Sequence, residues 1–285
     1  MSDHDPGLDL AALRARRGVR ADLAAISDRI GEHIDRGGFV SFSGGKDSTV
    51  VVDLARRVDP DVPVVWFDSG MEFPETRDYV ETLARRWDLN LFRLSTAPSG
   101  LEVLVQSGAW DHRAEDVPVP DLHEILIAAP SRRAHADHGP ANLWGVRAAE
   151  SKGRAQLYRT HLARQVAEHC DGCCTPRDAA TSRPSLEQRA RHGGLVGRVD
   201  GTRSYGPIWD WSDEQVWTYL AQHSIEPNPV YAKLAALGAG EHALRVGHLI
   251  DANQIQAGRV TWLRRGWPEL YAELEALLPR LAEMV

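Results

Sequence analysis

The 285-residue sequence predicts an α/β fold: a doubly wound, mostly parallel sheet with a helical segment before it and a helical extension after it. Short apolar runs bounded by glycine, proline or asparagine recur at 38–42 (GFVSF), 63–67 (PVVWF), 90–95 (NLFRLS) and 142–146 (NLWGV), as buried strands do. Between them the apolar period becomes helical, over 49–57 and over PETRDYVETLARRW. Strands alternating with helices imply right-handed crossovers with helices on both faces.

The elements follow in chain order. Residues 8–17 read as a short helix with a basic tail. Leu23, Ile26, Ile30 and Ile34 fall at helical spacing in 20–35, a helix stopped by Gly37-Gly38. These form an N-terminal segment, 1–37, ahead of an α/β domain over 38–235 and a helical extension over 236–285. Residues 111–140 hold one helical stretch around Leu122, Ile125 and Leu126. Residues 175–204 carry Arg177, Arg183, Arg189, Arg191, Arg198 and Arg203 with few large apolar side chains, and read as a mobile loop. Such a loop suits a solvated surface, a cover over a nucleotide or a seat for a polyanion. YGPIWDWS leads into a helix over about 212–223, with its tryptophans in the core, and EPNPVY is a turn. Leu270, Leu274, Leu277, Leu278 and Leu281 share one face of a C-terminal helix, kinked at Pro279.

Composition excludes several classes. There are 33 Lys+Arg against 40 Asp+Glu, net −7, which argues against bulk electrostatic binding of nucleic acid but leaves room for a local basic patch. No apolar run approaches the ~18 residues of a membrane span. The opening MSDHDPGLDL lacks the basic start and apolar core of a signal peptide. Three cysteines crowded at Cys170, Cys173 and Cys174 cannot build a disulfide framework and fit a reducing, cytoplasmic setting.

The most informative residues are Ser43-Gly44-Gly45-Lys46-Asp47-Ser48, placed where a buried strand hands over to a helix. In a parallel sheet that junction is where ligands bind. Two glycines permit a sharp turn and close backbone approach, and the helix start offers N–H groups and a positive dipole end to phosphate. Lys46 adds a charge; Ser43 and Ser48 add hydroxyls. Asp47 would repel polyphosphate unless a cation intervenes, which points to Mg²⁺. The pattern is not a Walker A loop, because Val40 and Asp47 stand where that motif needs Gly and Ser/Thr. A merely capped turn would need neither two glycines nor a lysine.

SGGKDS after an apolar strand resembles the PP-loop of the adenine nucleotide alpha-hydrolases, which split ATP between its α and β phosphates. Three further blocks resemble the phosphoadenosine-phosphosulfate (PAPS) reductase-like family: WFDSGMEFPET (66–76), GVRAAESKGR (145–154) and PIWDWSDEQVWTYL (207–220). The resemblance spans about 38–232 in the family's order. It implies ATP as substrate with Mg²⁺, the nucleotide on Ser43 to Ser48 and on Asp68, Ser69 and Gly70, and catalytic roles for Lys46, Asp47, Arg147 and Arg154. Asp68 would lie near ribose or metal; its plainer role is a helix N-cap before Pro74. Arg147 and Arg154 share a face if the segment between them is helical, and suit bidentate contacts to phosphate or sulfate. The plainer role of Arg154 is an i,i+4 pair with Glu150.

The chain also departs from the reductases of that family. They attack the sulfonyl sulfur with a cysteine near the C-terminus, and this sequence has no cysteine after Cys174. They tend to carry a degenerate PP-loop, whereas this one is complete. Both departures imply ATP-dependent adenylation in sulfur metabolism, as in the small subunit of ATP sulfurylase or the DNA-phosphorothioation members. Cys170, Cys173 and Cys174 are candidates for zinc or three corners of an iron–sulfur cluster, for a persulfide, or for inert packing. The expected partners are ATP, a small-molecule or nucleic-acid acceptor, a sulfur donor or partner protein, and a second copy of the chain; a membrane is not among them. Alternatives are a PAPS or adenylyl-sulfate reductase, a non-catalytic nucleotide-binding subunit, and flavin-nucleotide synthesis.

Overall fold

The computed structural model describes residues 22–35, 37–108, 110–111, 120–169, 186–240, 244–247, 259–278 and 280–284. The strands are β1 (Gly38–Phe42), β2 (Val64–Asp68), β3 (Leu91–Ser95), β4 (Ala141–Leu143), β5 (Leu195–Gly197) and β6 (Arg203–Tyr205). They form one sheet in the order β3-β2-β1-β4-β6-β5, parallel throughout except for the antiparallel β5–β6 pair. Val40 lies opposite Val64 on one side and Leu143 on the other.

The alternation along β1 and β2 shows why their sequences are continuously apolar. Val40, Phe42, Val64 and Trp66 point into the main core with Val50, Val51 and Leu54 of the following helix. Phe39 and Val65 point the other way, against Ala134. Both faces are covered, so neither parity can be polar.

The helices before and between the first strands are α1 (Leu23–Ile34), α2 (Lys46–Val58), α3 (Pro74–Trp87), α4 (Gly100–Ser107) and α5 (Ala129–His138), the last preceded by a π-helical turn at Glu124–Ala128. The expected helix at 8–17 lies outside the described residues. A 3₁₀ turn (Ala148–Glu150) leads into α6 (Lys152–His169), followed by α7 (Leu186–His192), α8 (Asp213–Gln222), α9 (Pro229–Ala236), α10 (Arg259–Gly266) and α11 (Pro268–Leu277). Trp209 and Trp211 are buried, as their sequence setting suggested. Among the described residues no helix is long and apolar enough to cross a membrane.

Two expectations are corrected. The arginine-rich stretch is ordered over 186–204, where it forms α7 and the β5–β6 edge of the sheet; 175–185 lie outside the described residues. Two of its arginines lie on tryptophan faces: Arg189 lies 4.6 Å from the Trp209 ring and pairs with Asp210, and Arg198 lies 5.6 Å from Trp144. Aromatic stacking and sheet pairing supply what aliphatic side chains lack. The C-terminal leucines do not share one helix either. The helix α11 ends at Leu277, which is exposed, and Leu281 begins a separate 3₁₀ turn; Pro279 lies outside the described residues.

Candidate functional site

The strand order turns at β1: β2 and β3 lie on one side, β4, β6 and β5 on the other. This is the topological switch point, where a crevice opens beyond the carboxyl ends of the strands. The 43–45 turn leaves β1 there, and residues 144–147 leave β4 beside it. The two segments touch at Gly145. A Cβ on Gly145 would come 2.6 Å from the Ser48 nitrogen and 2.8 Å from the Asp47 carbonyl carbon.

Within the loop, Gly44 takes a φ of +70°, and a Cβ there would press on Thr76 and Val80. The two serine hydroxyls shape the turn. Ser48 Oγ donates to the Gly45 carbonyl at 3.0 Å, accepts the Ser43 N–H at 3.3 Å and lies 3.0 Å from Ser43 Oγ. The Lys46 N–H donates to the Tyr231 hydroxyl at 3.1 Å. Among the described residues no carbonyl accepts from the N–H groups of Gly44, Gly45, Asp47 or Ser48. The start of α2 therefore presents unpaired donors at the strand end.

Four charged side chains converge beside this loop. Lys46 Nζ lies 2.8 Å from Asp47 Oδ2 and 2.8 Å from Asp213 Oδ1. Arg147 donates from Nε to Asp47 Oδ1 at 2.5 Å, from Nη2 to Asp213 Oδ1 at 2.8 Å, and from Nη1 to the Trp211 carbonyl at 3.1 Å. Arg147 is 3% exposed, whereas the Asp213 side chain is 59% exposed. Burial works to raise the Asp213 carboxyl, but Lys46 and Arg147 outweigh it and hold it below the usual carboxylate range. Burial likewise opposes the Arg147 charge, and Asp47 and Asp213 more than restore it. Both oxygens of the Asp47 carboxylate are thus engaged within the chain, by Lys46 and Arg147.

Arg154 is placed apart from this cluster. The chain between it and Arg147 is a 3₁₀ turn, an extended Ser151 and the first two residues of α6, not one continuous helix, and its guanidinium pairs with Glu150. Glu150 in turn accepts the Arg147 N–H at 2.7 Å, so Arg154 braces the turn that carries Arg147.

The Asp68-Ser69-Gly70 turn closes β2. Asp68 is 3% exposed and accepts from Gly70 N–H at 3.0 Å and Arg93 Nε at 2.8 Å, with Arg77 at 3.6 Å. It does not cap α3, whose N-cap residue is Phe73. Gly70 has a φ of +80° and packs where a Cβ would meet Ser99. Glu72 folds back beneath the turn, accepting from the Ser69 N–H and hydroxyl at 3.0 and 2.7 Å, with its second oxygen buried, outside any hydrogen bond and 4.0 Å from Arg77 Nη2. Burial, and then Asp68, push the Glu72 carboxyl up. Asp68 is held down despite its burial by the neighbouring Glu72 carboxyl and by hydrogen bonds from the Gly70 amide and Arg93.

Three site residues were not singled out in the sequence. Asp213 follows the Ser212 N-cap in a capping box with Gln215 and reads as an ordinary acidic first turn. Asn228 caps α9 through Val230 N–H, yet its amide nitrogen also donates to the Gly44 carbonyl at 3.1 Å and to Thr76 Oγ1 at 3.0 Å. Tyr231 is buried over Lys46. Cys170, Cys173 and Cys174 lie outside the described residues; among those described, no group of three or more His, Cys, Asp or Glu could hold a metal ion.

Comparison with known proteins agrees with this arrangement. The chain is 27% identical over 231 residues to a phosphoadenosine 5'-phosphosulfate reductase of Xanthomonas oryzae pv. oryzae, covering 78% of this chain and 77% of that protein. It is 27% identical over 247 residues to the enzyme of the same name from Sodalis glossinidius, covering 81% and 84%. The crystal structure of phosphoadenylyl-sulfate reductase from Candida auris, a phosphate complex, shares the fold at a TM-score of 0.51 and 16% identity, covering 84% of this chain and 93% of that one. The family model described as the phosphoadenosine phosphosulfate reductase domain matches residues 38–239. The sheet order, the loop at its switch point and these matches agree: the chain belongs to the phosphoadenosine phosphosulfate reductase domain family.

Proposed function

We propose that this chain is an enzyme of nucleotide-linked sulfur metabolism that holds the phosphates of an adenine nucleotide on residues 43–48. One observation carries the reading: at the switch point, unpaired N–H groups of the loop and two cations, Lys46 and buried Arg147, converge on one spot. Fixed donors aimed at phosphoryl oxygens position a nucleotide and stabilise developing charge. Asp68, Ser69 and Gly70 form the second wall, toward the nucleoside. Mg²⁺ would enter with the nucleotide, and Asp47 is the loop carboxylate that would join it on giving up Lys46 or Arg147.

For the reaction run on that nucleotide, the relatives' names favour reduction of PAPS or adenylyl sulfate. A thiolate would attack the sulfonyl sulfur, release the nucleotide phosphate and leave an S-sulfo group for a dithiol to reduce to sulfite. In this chain that task would fall to Cys170, Cys173 or Cys174. A second reading, ATP cleavage to AMP and pyrophosphate with adenylation of an acceptor oxygen, is favoured by the complete Ser-Gly-Gly-Lys-Asp-Ser loop, which needs no thiol.

The purified chain assayed with PAPS, adenylyl sulfate and ATP separates them. Thioredoxin-dependent sulfite release, lost on replacing Cys173 or Cys174, is the outcome expected of the reductase. Pyrophosphate release from ATP with an acceptor marks the adenylyltransferase. In either case Lys46→Ala is expected to lower kcat/KM by 10²-fold or more. A Lys46→Ala enzyme with wild-type kinetics would refute the phosphate-loop assignment.

A further inference from the structure

We propose that Asp213 is a built-in competitor of the substrate phosphate, a carboxylate that a phosphate group must displace from Lys46 and Arg147 before it can bind. The proposal rests on the 43–48 loop being the phosphate site and assigns that site a gate.

A single oxygen, Asp213 Oδ1, lies 2.8 Å from both Lys46 Nζ and Arg147 Nη2. An anionic oxygen clasped between an ammonium and a guanidinium is the arrangement a phosphoryl oxygen would adopt at these cations. The charges also balance: Lys46 and Arg147 supply two positive charges, Asp47 and Asp213 two negative ones. With Asp213 in place the cluster has no net charge to attract an anion.

The two carboxylates are not equally able to leave. Asp47 belongs to the loop itself, is 16% exposed, and has one oxygen on Arg147 and the other on Lys46. Asp213 stands on a different element, the first turn of α8, and its side chain is 59% exposed. A rotamer change would carry it into water, leaving a net positive pair facing the loop amides. Its second oxygen accepts from Trp217 Nε1 at 3.0 Å, so that departure would break a bond to a buried indole. Trp217 is thus positioned to report it. The device selects for ligands that engage amides and cations together: a simple monoanion cannot outcompete a tethered carboxylate, whereas a polyphosphate can.

Calorimetric titration with inorganic pyrophosphate in EDTA tests this on the wild type, Asp213→Asn, Asp213→Ser and Lys46→Ala. Removing the competing charge is expected to lower Kd at least tenfold, about 1.4 kcal/mol, in both Asp213 variants. On the wild-type chain, pyrophosphate is expected to change tryptophan emission, and the change is expected to vanish in Trp217→Phe. Unchanged or weaker binding in the Asp213 variants overturns the proposal. So does an emission change that Trp217→Phe leaves intact, which keeps the test decisive should the Asp213 variants misfold. If binding is lost in Lys46→Ala but indifferent to Asp213, only the gate fails. If Lys46→Ala binds like the wild type, or no form binds, the phosphate-loop reading fails and the gate with it.

Discussion

Gly145 bears on the site through what it lacks. It sits where β4's exit meets the first turn of α2, with the Ser48 nitrogen 2.6 Å and the Asp47 carbonyl carbon 2.8 Å from where a Cβ would stand. Both neighbours are backbone, so no side chain can swing aside. Gly145→Ala is therefore expected to push the start of α2 away from β4, costing roughly 1–3 kcal/mol of stability and weakening pyrophosphate binding by more than the loss in Tm alone would explain. A melt paired with a pyrophosphate titration checks it; an alanine variant that binds normally would show that the two segments are free to separate. Gly44 differs, because its constraint is a φ of +70° as well as contact with the Thr76 and Val80 methyls. Conformational strain of about 1–2 kcal/mol adds to crowding there.

At the scale of elements, the turn from β2 into α3 carries a testable pH signature. Glu72 is 6% exposed and keeps its proton to higher pH than an unfolded chain would, because burial and Asp68 disfavour its charge. Above its raised pKa the native state holds a costly buried carboxylate; as pH falls toward the ordinary value of 4.5, both states become neutral and the cost disappears. Glu72→Gln keeps the acceptor for the Ser69 N–H and hydroxyl but cannot ionise. It is expected to raise Tm by a few degrees at neutral pH, about 1 kcal/mol, with the gain vanishing on acidification. Melting both forms across that range checks it, and a gain that instead grew toward acid would contradict it. The Asp68 contribution runs the opposite way, present at neutral pH and lost as pH falls below 3.8, because its folded value is depressed. None of this pairing was legible in WFDSGMEFPET, where Asp68 could be placed near a nucleotide but Glu72 had no reason to fold under the turn. The first strands and the turn after β1 were legible for a physical reason: a strand buried on both faces is a continuous apolar run, and a tight turn at positive φ needs glycine, as at Gly44. The last two strands, β5 and β6, are only three residues each, so no periodicity marks them. Asn228 and Tyr231 were invisible because they reach the loop from 184 and 185 positions away, disguised as a helix cap and a helix interior residue.

At the scale of the whole molecule, the last helices are not an independent appendage. Leu263, Trp267, Tyr271, Leu274, Leu278 and Leu281 belong to the same buried cluster as Val40, Val50 and Val64 of the sheet layer. Trp267 packs against Phe73 with ring centroids 4.5 Å apart and the rings tilted by 40°, and its indole donates to Glu75 at 2.7 Å, where Lys233 also pairs at 2.8 Å. These contacts fix the start of α3, the helix that follows the Asp68–Glu72 turn, so that turn is braced by residues near the opposite end of the chain. A shared core couples the two parts energetically, because neither can leave without exposing the other's apolar surface. Urea unfolding followed by far-ultraviolet circular dichroism and by tryptophan emission is accordingly expected to give coincident single transitions. Trp267→Ala should lower the unfolding free energy by the roughly 3–5 kcal/mol of a large core truncation while leaving the transition single. Two separated transitions, with the C-terminal part melting first and the sheet persisting, would show that α10 and α11 form a separable layer and that the brace on α3 is dispensable.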